Sequence, residues 1–277
     1  MTGPVLLGIV NLTEDSFSDG GRHLDPAAAI AAARRLAAAG AAVIDLGAAA
    51  SNVAAKPVSP AEEIARLEPV VAALEADGIA VSIDSFAPET QRFALRRGVA
   101  FLNDIEGFAD PALYPSLAAS RCRLVVMHAV QGRGRARQIA VPPAEIWDRI
   151  LGFFAARIVE LERAGIGRGR LVLDPGMGFF LSSDPAASLR VLAELGRLKR
   201  AFGLPVLVSV SRKSFLGAVT GRRSPRELGA ATLAAELYAA AAGVDFIRTH
   251  DPGALRDALA VTAALDNPPP GAGPGAG

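Results

Sequence analysis

The chain has 277 residues, 51% of them hydrophobic and 21% charged, which is enough apolar surface for a large core and too much for a disordered chain. Its 29 Lys and Arg residues nearly balance its 28 Asp and Glu residues, and a net charge of +1 argues against a nucleic-acid binder. The single cysteine, Cys122, excludes an intrachain disulfide and a multi-cysteine metal site.

The sequence predicts neither a targeting segment nor a membrane span. The first apolar run ends at Asn11 and has no basic leader, so it does not resemble a signal peptide. Charged residues interrupt the Ala-rich stretches before they reach the ~20 residues of a bilayer span. We therefore expect a cytoplasmic protein that contacts no membrane.

Short apolar, β-branched runs alternate along the chain with segments that have the 3.6-residue period of helices. Many helical segments begin with Asp or Ser followed by Pro, which is typical of a capped helix start. These pairs begin at Asp25, Ser59, Asp110, Asp184, Ser224 and Asp251. Eight strands are predicted, at about 4–11, 41–47, 79–84, 99–103, 122–128, 170–174, 205–210 and 244–249.

Repetition of strand, loop and capped helix predicts a single-domain (β/α)8 TIM barrel over residues 1–266. A doubly wound open sheet is the alternative, but no Gly-x-Gly-x-x-Gly follows the first strand.

The last segment, residues 267–277, reads NPPPGAGPGAG and is predicted to be a disordered tail, because Pro and Gly have little surface to bury. We expect its deletion to change neither the melting temperature nor the turnover rate. A calorimetric scan of the truncated chain tests this, and a large loss of thermal stability would show that the tail docks on the barrel.

Polar residues terminate the apolar runs, and in a barrel the active site lies at those strand ends. Cations follow strands 7 and 8, where such barrels often bind phosphate, whereas carboxylates and amides occupy the opposite arc. The residues are Asn11, Asp45, Asp84, Asn103, Asp104, His128, Asp174, Ser211, Arg212, Lys213, Arg248, Thr249 and His250.

This separation predicts a ligand with two different ends. An anionic group would bind Lys213, Arg248 and His250, and acceptor-rich side chains would face the N–H donors of a heterocycle. Each residue taken singly could instead be a strand-end cap or an ion-paired structural residue, and Asp45 is the weakest member. The side chains expected to face the heterocycle are Asp84, Asn103 and Asp174.

Two other functions are disfavoured by the sequence. The three histidines are far apart and form no His-Glu-x-x-His motif, so a zinc or di-metal site is not expected. The basic stretch RGRAR at residues 133–137 is interpreted as a charged loop, because the net charge is close to zero.

Four segments resemble the signature sequences of the dihydropteroate synthases. They read GIVNLTEDSFSDGG at 8–21, LDPGMGF at 173–179, SRKS at 211–214 and RTH at 248–250. The resemblance runs from about residue 5 to residue 265. It implies a (β/α)8 transferase that joins 6-hydroxymethyl-7,8-dihydropterin diphosphate to p-aminobenzoate, forming dihydropteroate and diphosphate in folate biosynthesis.

The resemblance also implies roles for individual residues. Those that would bind the pterin are Asp84, Asn103, Met127, Asp174 and Lys213. Those that would bind the diphosphate are Asn11, Arg248 and His250, with Asn11 also a ligand of Mg²⁺. The implied catalytic residues are Asp19, Asp84, Asp174 and Lys213. The implied p-aminobenzoate pocket contains Phe17, Phe179, Phe180, Ser211 and Arg212.

Family chemistry is dissociative: the C–O bond breaks first, and the arylamine then attacks a pterin carbocation. Mg²⁺, Arg248 and His250 would stabilise the leaving diphosphate, and Asp84 and Asp174 the developing cation. The first loop, residues 13–21, resembles the family's mobile lid. We expect small-molecule substrates, no nucleic acid and a homodimer.

Two segments depart from the usual family pattern and resemble the sulfonamide-insensitive Sul-type synthases. Residues 48–53 read AAASNV where the family has Ser-Thr-Arg-Pro-Gly, so an arginine is missing and Lys56 is the available substitute. Phe180 and Leu181 replace the usual Gly-Lys after Phe179. We expect Phe180 to narrow the p-aminobenzoate pocket against sulfonamides; the alternative is that it only packs into the barrel wall.

Two alternative functions have sequence features that count against them. A pterin-barrel methyltransferase should lack the Ser-Arg-Lys segment and the diphosphate site, so Lys213, Arg248 and His250 disfavour it. A non-catalytic pterin-binding relative should have lost Asn11 or the cations after strands 7 and 8, and none is lost.

Overall fold

The computed structural model describes residues 3–13, 25–49 and 57–266, so the predicted tail at 267–277 lies outside the described residues. The strands are β1 Val5–Asn11, β2 Val43–Gly47, β3 Val81–Asp84, β4 Phe101–Asp104, β5 Arg123–Met127, β6 Leu171–Asp174, β7 Leu207–Val208 and β8 Phe246–Thr249. They are parallel, in the order β6-β5-β4-β3-β2-β1-β8-β7. A parallel bridge from Leu173 to Val206 joins β6 to β7, so the predicted barrel is confirmed.

Helices connect successive strands. They are α1 Pro26–Ala38, α2 Pro60–Ala76, α3 Pro88–Arg96, α4 Tyr114–Ala119, α5 Ile146–Arg163, α6 Pro185–Ala193, α7 Gly196–Phe202, α8 Ser214–Thr220, α9 Gly229–Ala241 and α10 Pro252–Asp266. Both α6 and α7 lie between β6 and β7, and both α8 and α9 lie between β7 and β8. None of the helices in the described ranges combines the length and apolarity of a membrane span.

The predicted caps lie at the starts of these elements, with one difference. Asp25, Ser59 and Asp184 accept hydrogen bonds from backbone N–H groups in the first turns of α1, α2 and α6. Asp110 and Ser224 open 3₁₀ turns instead of α-helices. Because a 3₁₀ turn also leaves N–H groups unpaired at its start, the cap chemistry is the same.

Alternation of side chains along the strands places polar residues above an apolar plug inside the barrel. In several strands a polar residue lies two positions after a residue of the plug. Asn103 follows Phe101 in this way, and Arg248 follows Phe246. The guanidinium of Arg123 lies 5.8 and 5.6 Å from the two phenylalanine ring centroids. The plug consists of Leu7, Val43, Phe101, Val125, Val172, Leu207 and Phe246.

Candidate active site

Four of the residues predicted to bind a pterin lie side by side at the ends of β3 to β6, and we call them the floor: Asp84, Asn103, Met127 and Asp174. Asp84 and Asn103 are register partners of β3 and β4, and Met127 and Asp174 are register partners of β5 and β6. Three are buried and Asp84 is half-buried. Parallel register therefore brings together residues up to 90 positions apart in the sequence.

Asn103 carries a buried side-chain oxygen that no donor satisfies within the described ranges. A buried acceptor without a partner costs roughly 1–3 kcal/mol, which a ligand N–H group would recover. The neighbouring Asp104 lies on the other face of β4 and accepts hydrogen bonds from Gln91 Nε2 at 2.9 Å, Glu106 N at 2.7 Å and Phe108 N at 2.9 Å. Asn103 faces the site, whereas Asp104 organises the following loop.

Asp174 and Lys213 are a carboxyl and an amine in the same desolvated space. Burial raises the pKa of Asp174 to about 6, although the N–H of Gly176 donates to its Oδ1 at 2.8 Å and opposes that shift. Burial lowers the pKa of Lys213 to about 8, and the field of Asp174 opposes this shift. Perturbed titratable groups of this kind are typical of functional sites.

The loop after β6 shapes the surroundings of Lys213. Gly176 has a φ of +74°, and a Cβ there would collide with the carbonyl oxygen of His128. The Lys213 stem passes 3.6 Å from the Cβ position of Gly178, and its ammonium lies 5.3 Å from the centroid of the Phe180 ring. Gly176 thus allows the loop to approach β5 closely.

Arg248 does not lie on a cationic arc apart from the carboxylates, as the sequence interpretation assumed. Its Nε donates to Asp45 Oδ2 at 2.5 Å and its Nη2 donates to Asp84 Oδ2 at 2.7 Å. Burial lowers the pKa of Arg248, but these carboxylates outweigh burial and raise it. Two of its nitrogens therefore donate to carboxylates, and Asp45, fully buried, orients the guanidinium.

Burial also raises the pKa of Asp84, while the adjacent Arg248 opposes the increase. Asp84 therefore belongs to the floor and also forms an ion pair with Arg248.

Ser211 and His250 are brought together by the ends of β7 and β8. Ser211 Oγ accepts a hydrogen bond from His250 N at 3.3 Å and lies 2.9 Å from His250 Nδ1. Burial lowers the pKa of His250 to about 3, and the charges of Arg212, Arg248 and Lys213 lower it further. The imidazole is therefore neutral at pH 7.

Arg212, between Ser211 and Lys213, has a left-handed backbone with φ of +58° and donates its N–H to Thr232 Oγ1 of α9 at 3.0 Å.

We expect Thr232→Val to lower the free energy of unfolding by about 1–2 kcal/mol and to raise KM, because the backbone turn at Arg212 loses this hydrogen bond. Thr232→Ser keeps the hydroxyl and should remain near the parent. Urea unfolding and steady-state kinetics check this, and equal behaviour of the two variants would contradict it.

Asn11 lies half-buried at the end of β1, with its Oδ1 3.6 Å from the Cβ position of Gly47. Within the described ranges no three His, Cys, Asp or Glu side chains converge as a metal site. Mg²⁺ prefers oxygen ligands and is often held by one or two protein groups, phosphates and waters. The amide oxygen of Asn11 is a ligand type that Mg²⁺ accepts, so this residue fits its predicted role, and the role itself stays a prediction.

Phe179 and Phe180 differ in environment. Phe180 is buried in a cluster at the mouth of the barrel and contacts residues around Met127, whereas Phe179 is half-exposed and packs against that cluster. Val130 N donates to Phe180 O at 2.9 Å, which ties the loops after β5 and β6 together. Phe180 therefore forms part of the wall next to the floor. The buried members of the cluster are Ile105, Met127, Ala129, Ala136 and Phe180.

His128, which follows β5, has a role outside the floor, and three of the predicted site residues lie outside the described residues. His128 Nδ1 lies 3.1 Å from Pro175 O and its ring packs edge-on against Phe153, so it braces the loop after β6. Phe17, Asp19 and Lys56 lie outside the described residues, so their assigned roles stay predictions.

Sequence reasoning missed the pairing of Asp45 with Arg248 and the anchoring of Arg212 by Thr232. No sequence signal links residues 203 positions apart, although the shared inward-facing positions of β2 and β8 are compatible with such a pair.

Comparison with known proteins gives a consistent result. The family described as "Pterin binding enzyme" matches residues 7–250. The dihydropteroate synthase type-2 of Escherichia coli is 63% identical over 261 residues, which is 94% of this chain and 96% of that protein. The chain belongs to the dihydropteroate synthase family. The match to the type-2 protein confirms the predicted Sul-type branch, and dihydropteroate synthase activity, a transferase step of folate biosynthesis, is the function of this family.

Solved dihydropteroate synthases confirm the fold. The Xanthomonas albilineans enzyme with 4-aminobenzoic acid has a TM-score of 0.87 and 37% identity, covering 96% of this chain and 94% of that one. The same enzyme in complex with 7,8-dihydropteroate has a TM-score of 0.83 and 36% identity, covering 96% and 95%. This chain therefore has the (β/α)8 barrel architecture of the dihydropteroate synthases.

Proposed function

We propose that this chain condenses 6-hydroxymethyl-7,8-dihydropterin diphosphate with p-aminobenzoate at the strand ends described above. The observation that carries the assignment of the pterin end is the floor, where the unpaired Asn103 oxygen lies beside two carboxyls with raised pKa values. Acceptors in this arrangement match the N–H donors of a pterin edge. The residues assigned to the pterin are Asp84, Asn103, Met127, Asp174 and Lys213.

The diphosphate end of the proposal rests on the charges at β8 and β1. Arg248 supplies the cation and neutral His250 a ring N–H, and Asn11 supplies an amide oxygen. When bound, Mg²⁺ neutralises charge on the diphosphate oxygens. Arg248 also stabilises charge that develops as the C–O bond breaks, because its guanidinium is held in place by carboxylates before the reaction.

Cleavage of the C–O bond places positive charge on the pterin, and the carboxylates of Asp84 and Asp174 stabilise it electrostatically. The p-aminobenzoate nitrogen then attacks the exocyclic carbon and loses a proton to yield dihydropteroate. The described residues of the assigned p-aminobenzoate pocket are half-exposed Phe179, buried Phe180 and Ser211, and Arg212, which lies two residues before α8. The solved X. albilineans enzyme that contains 4-aminobenzoic acid supports this choice of second substrate.

The same proposal includes weak inhibition by sulfonamides, because Phe180 adds bulk beside the floor. Homodimer formation and the cytoplasmic location stay predictions.

Product formation tests the assignment. The purified chain, incubated with the pterin diphosphate, p-aminobenzoate and Mg²⁺, should yield dihydropteroate by mass spectrometry and one diphosphate per product. Asp174→Asn is the matched control, since it preserves size but removes the charge next to Lys213. Consumption of the pterin diphosphate without dihydropteroate, or equal activity of the control, would contradict the proposal.

The pH dependence of kcat/KM follows from Asp174 and Lys213. Below about pH 6 Asp174 becomes protonated and loses its charge, and above about pH 8 Lys213 becomes neutral. We therefore expect a bell-shaped profile with limbs near these values. Asp174→Asn should weaken the acid limb, to which Asp84 also contributes because burial raises its pKa to about 6, and Lys213→Ala should lose the alkaline limb. Variants whose profiles keep the parent's limbs would show that other groups titrate.

A further inference from the structure

The hydroxyl of Ser211 has a defined set of partners. It accepts a hydrogen bond from the backbone N–H of His250 at 3.3 Å and lies 2.9 Å from Nδ1 of the same residue. Ser211 is only 6% exposed. Among the described residues no other hydrogen bond to this hydroxyl is recorded. A serine hydroxyl has one proton to donate, and Nδ1 is the acceptor within its reach.

The state of the imidazole restricts the proton arrangement further. Burial lowers the pKa of His250 to about 3, and the positive charges of Arg212, Arg248 and Lys213 lower it further, so the ring is neutral at pH 7. A neutral imidazole carries its proton on one nitrogen only. If Nδ1 accepts from Ser211, the ring proton is on Nε2.

We propose that Ser211 is a positioning residue that holds His250 as the Nε2–H tautomer, so that a neutral histidine donates a hydrogen bond to the departing diphosphate. The diphosphate as acceptor rests on the proposed function, whereas the tautomer does not. A neutral donor suits this position because a fourth cation beside three others would be destabilised before the anion arrives. The Nδ1–H tautomer would instead present a lone pair of Nε2 to an anion, which repels it.

His128 provides an internal control, because its hydrogen-bond partner requires the other tautomer. Its Nδ1 lies 3.1 Å from the carbonyl oxygen of Pro175, and a carbonyl can only accept. Burial lowers the pKa of His128 to about 4, so this ring is also neutral at pH 7. His128 must therefore be the Nδ1–H tautomer, and one protein should contain both tautomers.

Nuclear magnetic resonance can read the two tautomers directly. Long-range ¹H–¹⁵N correlation spectra of the full chain, labelled on histidine nitrogens at pH 7, are assigned with His250→Gln and His128→Asn. We expect the Nε2–H pattern for His250 and the Nδ1–H pattern for His128. An Nδ1–H pattern or an imidazolium pattern for His250 would overturn the proposal, and this measurement needs no variant of Ser211 to fold.

Variants of Ser211 test the consequence for binding. Ser211→Ala should convert His250 to a mixture of tautomers or to Nδ1–H, and should weaken binding of inorganic diphosphate by roughly threefold to tenfold, the size of one hydrogen bond. Ser211→Thr keeps the hydroxyl and should restore the Nε2–H pattern and the affinity. A changed tautomer with unchanged diphosphate affinity would overturn the donation to diphosphate. Absence of dihydropteroate formation by the parent would reject the proposed function, while the spectrum would still decide the tautomer.

Discussion

Replacing Lys213 with alanine should lower kcat/KM by at least ~30-fold, equivalent to ~2 kcal/mol of transition-state stabilisation. Lys213 is the amine at the start of α8 that interacts with the charge of Asp174 and lies over the Phe180 ring. Its removal takes from buried Asp174 the cation that lowers its pKa most, so that only the weaker effect of Arg248 remains, and it takes a donor from the proposed pterin end. Asp174→Asn should have an effect of similar size, because it removes the complementary charge. Steady-state kinetics measure both.

Lys199→Ala is the matched control for Lys213→Ala. Lys199 forms an ion pair with Asp245 at 2.8 Å, but its side chain is 49% exposed and lies on α7, outside the strand ends. We expect its kinetics to stay within about twofold of the parent, because exposed ion pairs contribute little. If Lys213→Ala and Asp174→Asn also stay within about twofold while the fold survives, the assignment of the pterin end is wrong.

Removal of Phe180 is expected to make the enzyme sensitive to sulfonamides. A sulfonamide replaces the planar carboxylate of p-aminobenzoate with a bulkier tetrahedral sulfonyl group, so a wall that cannot relax rejects the drug more than the substrate. Phe180 is held in place by the mouth cluster and by the hydrogen bond to its carbonyl oxygen from Val130. We expect Phe180→Ala to lower the sulfamethoxazole concentration for half-inhibition at least ~10-fold and KM for p-aminobenzoate by much less.

Packing complicates this experiment, so a second variant accompanies the first. Phe180→Ala opens a cavity next to Met127, and the cost to stability should be about 3–5 kcal/mol. Phe180→Leu keeps more of the cluster and should give a smaller increase in sensitivity. Phe179→Ala tests whether the half-exposed ring, rather than its buried neighbour, selects against the drug. Half-inhibition of the parent at or below the KM for p-aminobenzoate would contradict the resistance hypothesis and leave the synthase assignment intact.

Arg248, assigned to the diphosphate, forms ion pairs with two carboxylates inside the barrel. Asp45 accepts from Nε of the guanidinium and Asp84 accepts from Nη2, so the cation of the proposed diphosphate end is oriented by carboxylates. An Arg with two bonded nitrogens loses little further freedom when an anion arrives, which is the advantage of a preorganised donor. The proposed pterin and diphosphate ends of the site are therefore electrostatically connected through Asp84, contrary to the separate arcs expected from the sequence.

The sequence by itself determined the elements and the identity of most of the floor. Apolar runs with alternation, capped helix starts and repeated order predict the barrel, because local pattern governs strands and helices. Since parallel strands end at one rim, Asp84, Asn103 and Asp174 could be placed together without coordinates.

Only the tertiary structure decided which strand-end residues belong to the floor and which support loops. Asn103 and Asp104 are adjacent in sequence, yet one faces the floor and the other a loop, because successive strand residues alternate faces and the register selects between them. Likewise, the hydroxyl of Ser211 on His250 and the carboxylates on Arg248 are contacts across 39 to 203 residues. Such pairs depend on side-chain direction and reach inside the closed barrel, which no local pattern of residues encodes.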